Sequence, residues 1–299
     1  MSEHNMKFRA HDTFFIRKGW LAKGVKHVQK NPAVFLGRGG ENPMDTLGIG
    51  ANMVKSLRYW LQAVGLTEEK KHEQFFTPLG NIIFQHDPYF EELGTLWLLH
   101  YRLASNKDHA TAWWWFFNEF RLSEFSRDDF VEQITRWFRM QEDLKEWDVP
   151  QRSLEDDFDC IIHTYLPRIH SNPKRVDPES NIDSPFGELG LIGIAGRREK
   201  TYRKLTPAKG TLPPLVLLAV LSEQAEDKKE VRISDIQCDP CNAGKIFNLD
   251  AITLTAALYQ LELLRYLKVI RTAGLDVVQF TPKRTFETCV EMYYGGLNK

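Results

Sequence analysis

The sequence predicts a mainly helical α+β protein, with two winged-helix-like modules flanking a helical middle. Three observations predict it. Apolar residues recur at helical spacing in Val54–Val64 and again in the stretch that follows Asp250. Each of these helices is followed by a polar turn and then by the same tripeptide, Phe76-Thr77-Pro78 in one case and Phe280-Thr281-Pro282 in the other. Between them stands an aromatic, helix-forming run, HATAWWWFFNEFRL. The boundaries that follow are 1–92 for an N-terminal module, 93–205 for the middle and 206–299 for a C-terminal module.

In the first module Val54, Leu57, Leu61 and Val64 make one apolar face, and Gly65 is a natural helix stop. Thr67 to Gln74 is polar and charged, as a wing would be. Thr77 suits an N-cap, and Pro78 suits the first position of the helix after it. In the last module Pro214–Ala225 forms a first helix and Val231–Ile233 a short strand. Asp250 then caps a helix whose apolar stripe is Leu254, Leu258, Leu261 and Leu264/Leu267, and strands follow at Lys268–Arg271 and Val277–Phe280. In the middle, Ser126 with Asp129 forms a capping pattern. Trp113 to Phe117 is too broad an apolar cluster for one helix face, so it belongs in the core or against a partner. Asn172–Pro185 reads as a long loop.

The composition fits a globular chain of 299 residues, 42% hydrophobic and 26% charged. No apolar run approaches the roughly 18 residues of a membrane span, and the N-terminus has no signal-peptide pattern. Four cysteines make no disulfide framework, which suits the cytoplasm. The net charge of −1 argues against a generally basic nucleic-acid binder, but the charge is unevenly spread. Residues 1–40 hold eight Lys/Arg against two Asp/Glu, and residues 197–209 six against one. Residues 119–159 hold thirteen acids against six bases. Basic regions suit phosphates and an acidic face suits another partner.

Gly48 and Gly50 precede a helix bearing Asn52, Lys55, Ser56, Arg58 and Tyr59. Glycines allow a close backbone approach, and a helix N-terminus attracts anions. GxxxxGK[ST] is absent and GIGANM lacks the third glycine of GxGxxG, so no nucleotide cofactor is expected. In a winged helix this element lies in a major groove. Gly48 and Gly50 then bring the backbone to the DNA, Asn52, Lys55, Ser56 and Tyr59 face it, and Arg38 and Arg58 contact phosphates. The plain alternative is a tight turn between two helices.

Two further groups could carry chemistry. His11 and Asp12 sit among Arg9, Arg17 and Lys18, and with Asp157 they are candidates for catalysis on a phosphodiester. Asp156, Asp159 and His163 share a helical face at i, i+3 and i+7 and could ligate Mg²⁺ or Mn²⁺. A solvated, acid-rich helix start accounts for the same residues. Cys238-Asp239-Pro240-Cys241 is a lone CxxC without a second pair, which suits a plain loop.

The stretches KFRAHDTFFIRKGWLAKG, LGIGANMVKSLRYWLQAVGL and FTPLGNIIFQHDPYFEELGTLWLLHY, with EDDFDCIIHTYLP, SPFGELGLI and IFNLD further on, resemble a bacterial family. It is a domain-of-unknown-function family whose genes sit beside sulfurtransferases resembling phosphoadenosine-phosphosulfate (PAPS) reductase. In the islands for DNA phosphorothioation (Ssp) antiphage defence its member is the SspB-like component. The resemblance covers nearly the whole chain. It implies a DNA-binding role in sulfur modification of DNA, extending to nicking of one strand, alongside a sulfurtransferase, an ATPase and a cysteine desulfurase. It carries over no catalytic residue. A non-catalytic DNA-binding adaptor that recruits the sulfurtransferase, and a winged-helix regulator, stay open beside it.

Overall fold

The computed structural model describes residues 6–37, 42–141, 149–167, 183–272 and 274–297. Over these residues the chain is α+β, mostly helix with three small antiparallel sheets. The N-terminal part runs α1 (Trp20–Lys30), α2 (Pro43–Leu47), α3 (Ala51–Ala63), β1 (Thr67–Lys70), β2 (Glu73–Phe76) and α4 (Pro78–His86). Leu57, Trp60 and Leu61 of α3 are wholly buried, and Leu21, Val25 and Val28 of α1 join them in the core. β1 and β2 form a hairpin in which Thr67 opposes Phe76 and Lys70 opposes Glu73. Lys71 and His72 turn it with φ of 54° and 70°. Positive φ at both turn residues matches the right-handed strand twist. Thr77 caps α4 as expected: its Oγ1 accepts the Gly80 N–H at 2.9 Å, and Pro78 opens the helix.

The middle holds α5 (Leu93–Ser105), α6 (Thr111–Asn118), β3 (Glu124–Phe125), α7 (Arg127–Met140) and α8 (Gln151–Tyr165). A 3-10 turn (Pro185–Leu189), β4 (Ile192–Gly196) and β5 (Thr201–Lys204) follow. Every residue of α6 is buried, so Trp113 to Phe117 is core. Each such side chain contributes about 1.5–3 kcal/mol by leaving water. The end of α6 is held from across the chain: the Lys204 ammonium donates to the carbonyls of Phe116 and Phe120 at 2.5 and 2.7 Å. Ser126 and Asp129 form the expected capping box of α7. Most of the expected Asn172–Pro185 loop lies outside the described residues.

The C-terminal part runs α9 (Pro214–Gln224), β6 (Glu230–Arg232), α10 (Ile233–Cys238), α11 (Ala243–Ile246), α12 (Ala251–Leu263), β7 (Leu267–Thr272), β8 (Leu275–Phe280) and α13 (Phe286–Leu297). The sheet order is β6-β8-β7, with Leu267 opposite Phe280. Asp250 caps α12 by accepting the Thr253 N–H at 2.7 Å.

The two ends echo each other in backbone detail. α3 and α12 span positions 51–63 and 251–263. After them the Leu66 and Tyr266 amides donate to Leu61 and Leu261 at 2.9 and 3.0 Å. The Thr77 and Thr281 amides close onto Leu66 and Tyr266, both at 3.1 Å. The echo ends at the tripeptide. Pro78 starts a helix at once, whereas α13 starts only at Phe286, after Thr285 supplies a hydroxyl to the Thr288 N–H. One hydrophobic core includes residues of all three predicted stretches. Among the described residues no helix is long and apolar enough to cross a membrane.

Candidate nucleic-acid interface and the buried His11–Asp157 pair

α3 meets solvent with Asn52 and Lys55, both exposed. Gly48 ends α2 in the left-handed region, φ 61°, and its amide closes onto the Met44 carbonyl. Gly50 is extended, φ −65°, and caps α3 without a side-chain hydrogen bond. The two glycines therefore form the turn that aims the helix start outward. Lys55 has no ion-pair partner among the described residues. The neighbouring α1 adds Lys23, Lys26 and Lys30 along its wetter side. Burial, then the charges of Lys30, Lys26 and Lys23, lower the pKa of His27 on that helix, a sign of concentrated positive charge. The sequence showed this only as the charge balance of residues 1–40.

Three other candidates on or near α3 differ from expectation. Ser56 is wholly buried, and its hydroxyl points at the Phe14 carbonyl at 3.4 Å. It cannot face a ligand, because the segment before α1 covers that side. Tyr59 is only partly exposed, with its hydroxyl end inside near Asp157 and Cys160. Arg58 pairs with Glu69 of β1 at 2.7 Å, which ties the helix to the β1–β2 hairpin and occupies its charge. Arg38 lies outside the described residues.

The catalytic candidates separate. His11 and Asp157 meet in the core: Nε2 of His11 is 2.7 Å from Asp157 Oδ1, and the two are 0% and 1% exposed. Both Asp157 oxygens also accept the Arg9 amide, at 3.0 and 3.1 Å. The imidazole stacks on Trp60 and meets Trp113 edge-on. Burial alone would weaken its hold on a proton. The Cys160 sulfur and the Asp157 carboxylate outweigh burial and raise its pKa. Cys160 was not singled out in the sequence, although its spacing from Asp157 on α8 puts both on one face. Asp12 stays outside the pair, in a left-handed turn with φ 52°. Wrapped in aromatic rings, His11 and Asp157 act as a polar clamp between the N-terminal segment and α8, out of reach of a DNA strand.

The metal candidates do not converge. Asp156 pairs with Arg9 at 2.7 Å, Asp159 faces Arg127 at 3.6 Å, and the His163 ring lies against Phe15. A cation there would have to displace Arg9 and Arg127. Among the described residues no three His, Cys, Asp or Glu side chains group as a metal site. Cys238 is exposed, Cys241 is half-buried, and both are free thiols.

Comparison with known proteins gives the chain its relatives. A crystal structure of SspB with bound magnesium superposes with a TM-score of 0.82 and 26% identity, over 98% of this chain and 89% of that one. A second SspB crystal structure matches equally well, with a TM-score of 0.82, 25% identity and the same coverage. No curated protein matches. A family model described as a protein of unknown function, DUF4007, matches residues 8–294, and the chain belongs to the DUF4007 family.

Proposed function

We propose that this chain is the SspB-like, DNA-binding component of a DNA phosphorothioation (Ssp) antiphage system. DNA meets it through the N-terminal module, residues 1–92, read as a winged helix. The observation that carries the proposal is the exposed Lys55, without an ion-pair partner among the described residues, beside Asn52 at the start of α3 and next to the lysines of α1. A helix start and a lysine cluster offer fixed donors and positive charge to a phosphodiester backbone. Likeness to SspB over 98% of the chain supports the place in an Ssp system. Its partners there would be a PAPS-reductase-like sulfurtransferase, an ATPase and a cysteine desulfurase. The middle, 93–205, and the C-terminal module, 206–299, are left for protein contacts.

The burial of His11 and Asp157 favours binding over chemistry at those residues. Strand nicking with Mg²⁺ or Mn²⁺ is the second reading, favoured by the magnesium bound to one SspB structure. Two assays decide between them. Fluorescence anisotropy with a labelled duplex should show binding that Lys55→Ala weakens several-fold; no binding at low salt would overturn the proposal. Supercoiled plasmid with Mg²⁺ or Mn²⁺ should stay closed if the chain only binds, and a relaxed product would establish nicking.

A further inference from the structure

The outer face of α12 is apolar and largely exposed. Ile252 is 82% exposed, Leu263 is 83% exposed and Tyr259 is 41% exposed, with Ala256 exposed between them. These positions follow i, i+4, i+7 and i+11, the spacing of a helix–helix seam. Over the eleven-residue span the seam is about 16 Å long. A single exposed leucine is ordinary on a protein surface, but a continuous stripe is not.

The equivalent helix shows what such a face requires. Ser56 and Ala63 of α3, which match Ala256 and Leu263, are buried, and the segment around Phe14 covers Ser56. On α12 the Arg271 guanidinium lies 6.0 Å over the Tyr259 ring and covers it in part, but Ile252 and Leu263 at the two ends stay exposed, and they are larger and more apolar than Asn52 and Ala63.

The stripe is also complementary to itself. Turned end for end about its midpoint, Ile252 meets Leu263 and the small Ala256 meets the large Tyr259. The charges match as well: Asp250 before the helix meets Arg265 after it, and both are exposed. We propose that α12 is a dimerisation helix, packed antiparallel against α12 of a second copy across a two-fold axis. Such an isologous contact uses one patch twice. The seam is short against the usual protein interface, so the dimer forms in the micromolar range. DNA binding through α3 does not depend on it, so either proposal can fail without the other.

The test is sedimentation equilibrium of the full chain across micromolar concentrations. A monomer–dimer equilibrium is expected. Ile252→Glu and Leu263→Glu should each weaken it by about tenfold or more, as central apolar contacts do. Circular dichroism of these surface variants should match the parent. Arg265→Asp and Asp250→Lys should each weaken self-association, and an equimolar mixture of the two should restore it as a heterodimer. Because Asp250 also caps α12, Asp250→Asn, which keeps a capping oxygen and removes the charge, should weaken self-association in the same direction with an unchanged circular dichroism spectrum. A chain that stays monomeric throughout, or a dimer indifferent to Leu263→Glu, overturns the proposal. A mixture that fails to recover overturns the antiparallel register.

Discussion

Arg265 occupies the backbone position in the C-terminal half that Gly65 occupies in the N-terminal half. Both follow a thirteen-residue helix, both have positive φ, 62° and 71°, and each carbonyl accepts a threonine hydroxyl, from Thr281 and Thr77. Glycine adopts this conformation freely, and an arginine pays for it. Arg265→Gly should therefore stabilise the protein by about 1 kcal/mol. Gly65→Ala should do the reverse by a larger amount, because its Cβ would also sit 3.0 Å from the Arg102 side chain. Urea unfolding of the two variants checks the pair. Equal and small effects would show that the two turns are not under the same constraint.

The His11–Asp157 pair makes a different demand. Removing one member of a buried pair leaves the other charged or unsatisfied, at about 3–5 kcal/mol. His11→Ala and Asp157→Ala should each destabilise by that order, and the double variant by clearly less than the sum. Denaturant midpoints measure this directly. If plasmid nicking occurs, its loss in these variants should track the loss of folded protein. A variant that stays folded and loses only activity would return these residues to the chemistry.

His100 sets a pH dependence. Its Nε2 bonds the Ile246 carbonyl at 2.8 Å and its Nδ1 meets the Tyr165 hydroxyl at 2.7 Å, with the ring wholly buried. Burial lowers its pKa to about 4, against a small opposing effect of the Ile246 carbonyl. The unfolded chain takes up a proton near 6.5, and the folded chain only near 4. Stability from this residue is therefore intact above 6.5 and is lost as pH falls from 6.5 to 4. The total is about 3 kcal/mol. The pH dependence of urea unfolding should flatten in this window in His100→Gln, relative to the parent. An unchanged profile would mean that another group carries it.

Much of the fold was legible because its signals are local. The caps at Thr77, Ser126 and Asp250 each join residues three apart. The β1–β2 hairpin was less legible, because Lys71 and His72 take positive φ without the glycine or asparagine that marks such a turn. The face of α12 was half legible. Of the stripe Leu254, Leu258, Leu261 and Leu264/Leu267, Leu264 is half-exposed and the others are buried, and an apolar residue such as Ile252 does not say whether anything covers it. The His11 site was not legible, because its partner is 146 positions away and aromatic rings from two elements, α3 and α6, close it. Ser56 was misjudged for a similar reason. Its position on the wet side of α3 holds only until the N-terminal segment folds across it.

The DNA proposal makes a quantitative demand through salt. Each phosphate contact from a lysine releases condensed counterions, so log K falls with log salt by about 0.9 per contact on duplex DNA. Lys55→Ala should weaken binding similarly for all sequences and reduce that slope by about 1. Asn52→Ala, which removes a neutral amide, should leave the slope unchanged while altering preference among sequences. If the α1 lysines lie against the backbone, Lys26→Ala with Lys30→Ala should lower the slope by about 2 more. Arg58→Ala should do little to the slope, because Glu69 already neutralises that guanidinium. A slope that falls with Arg58→Ala and not with Lys55→Ala would put the DNA on the wing side of the module instead of at the start of α3.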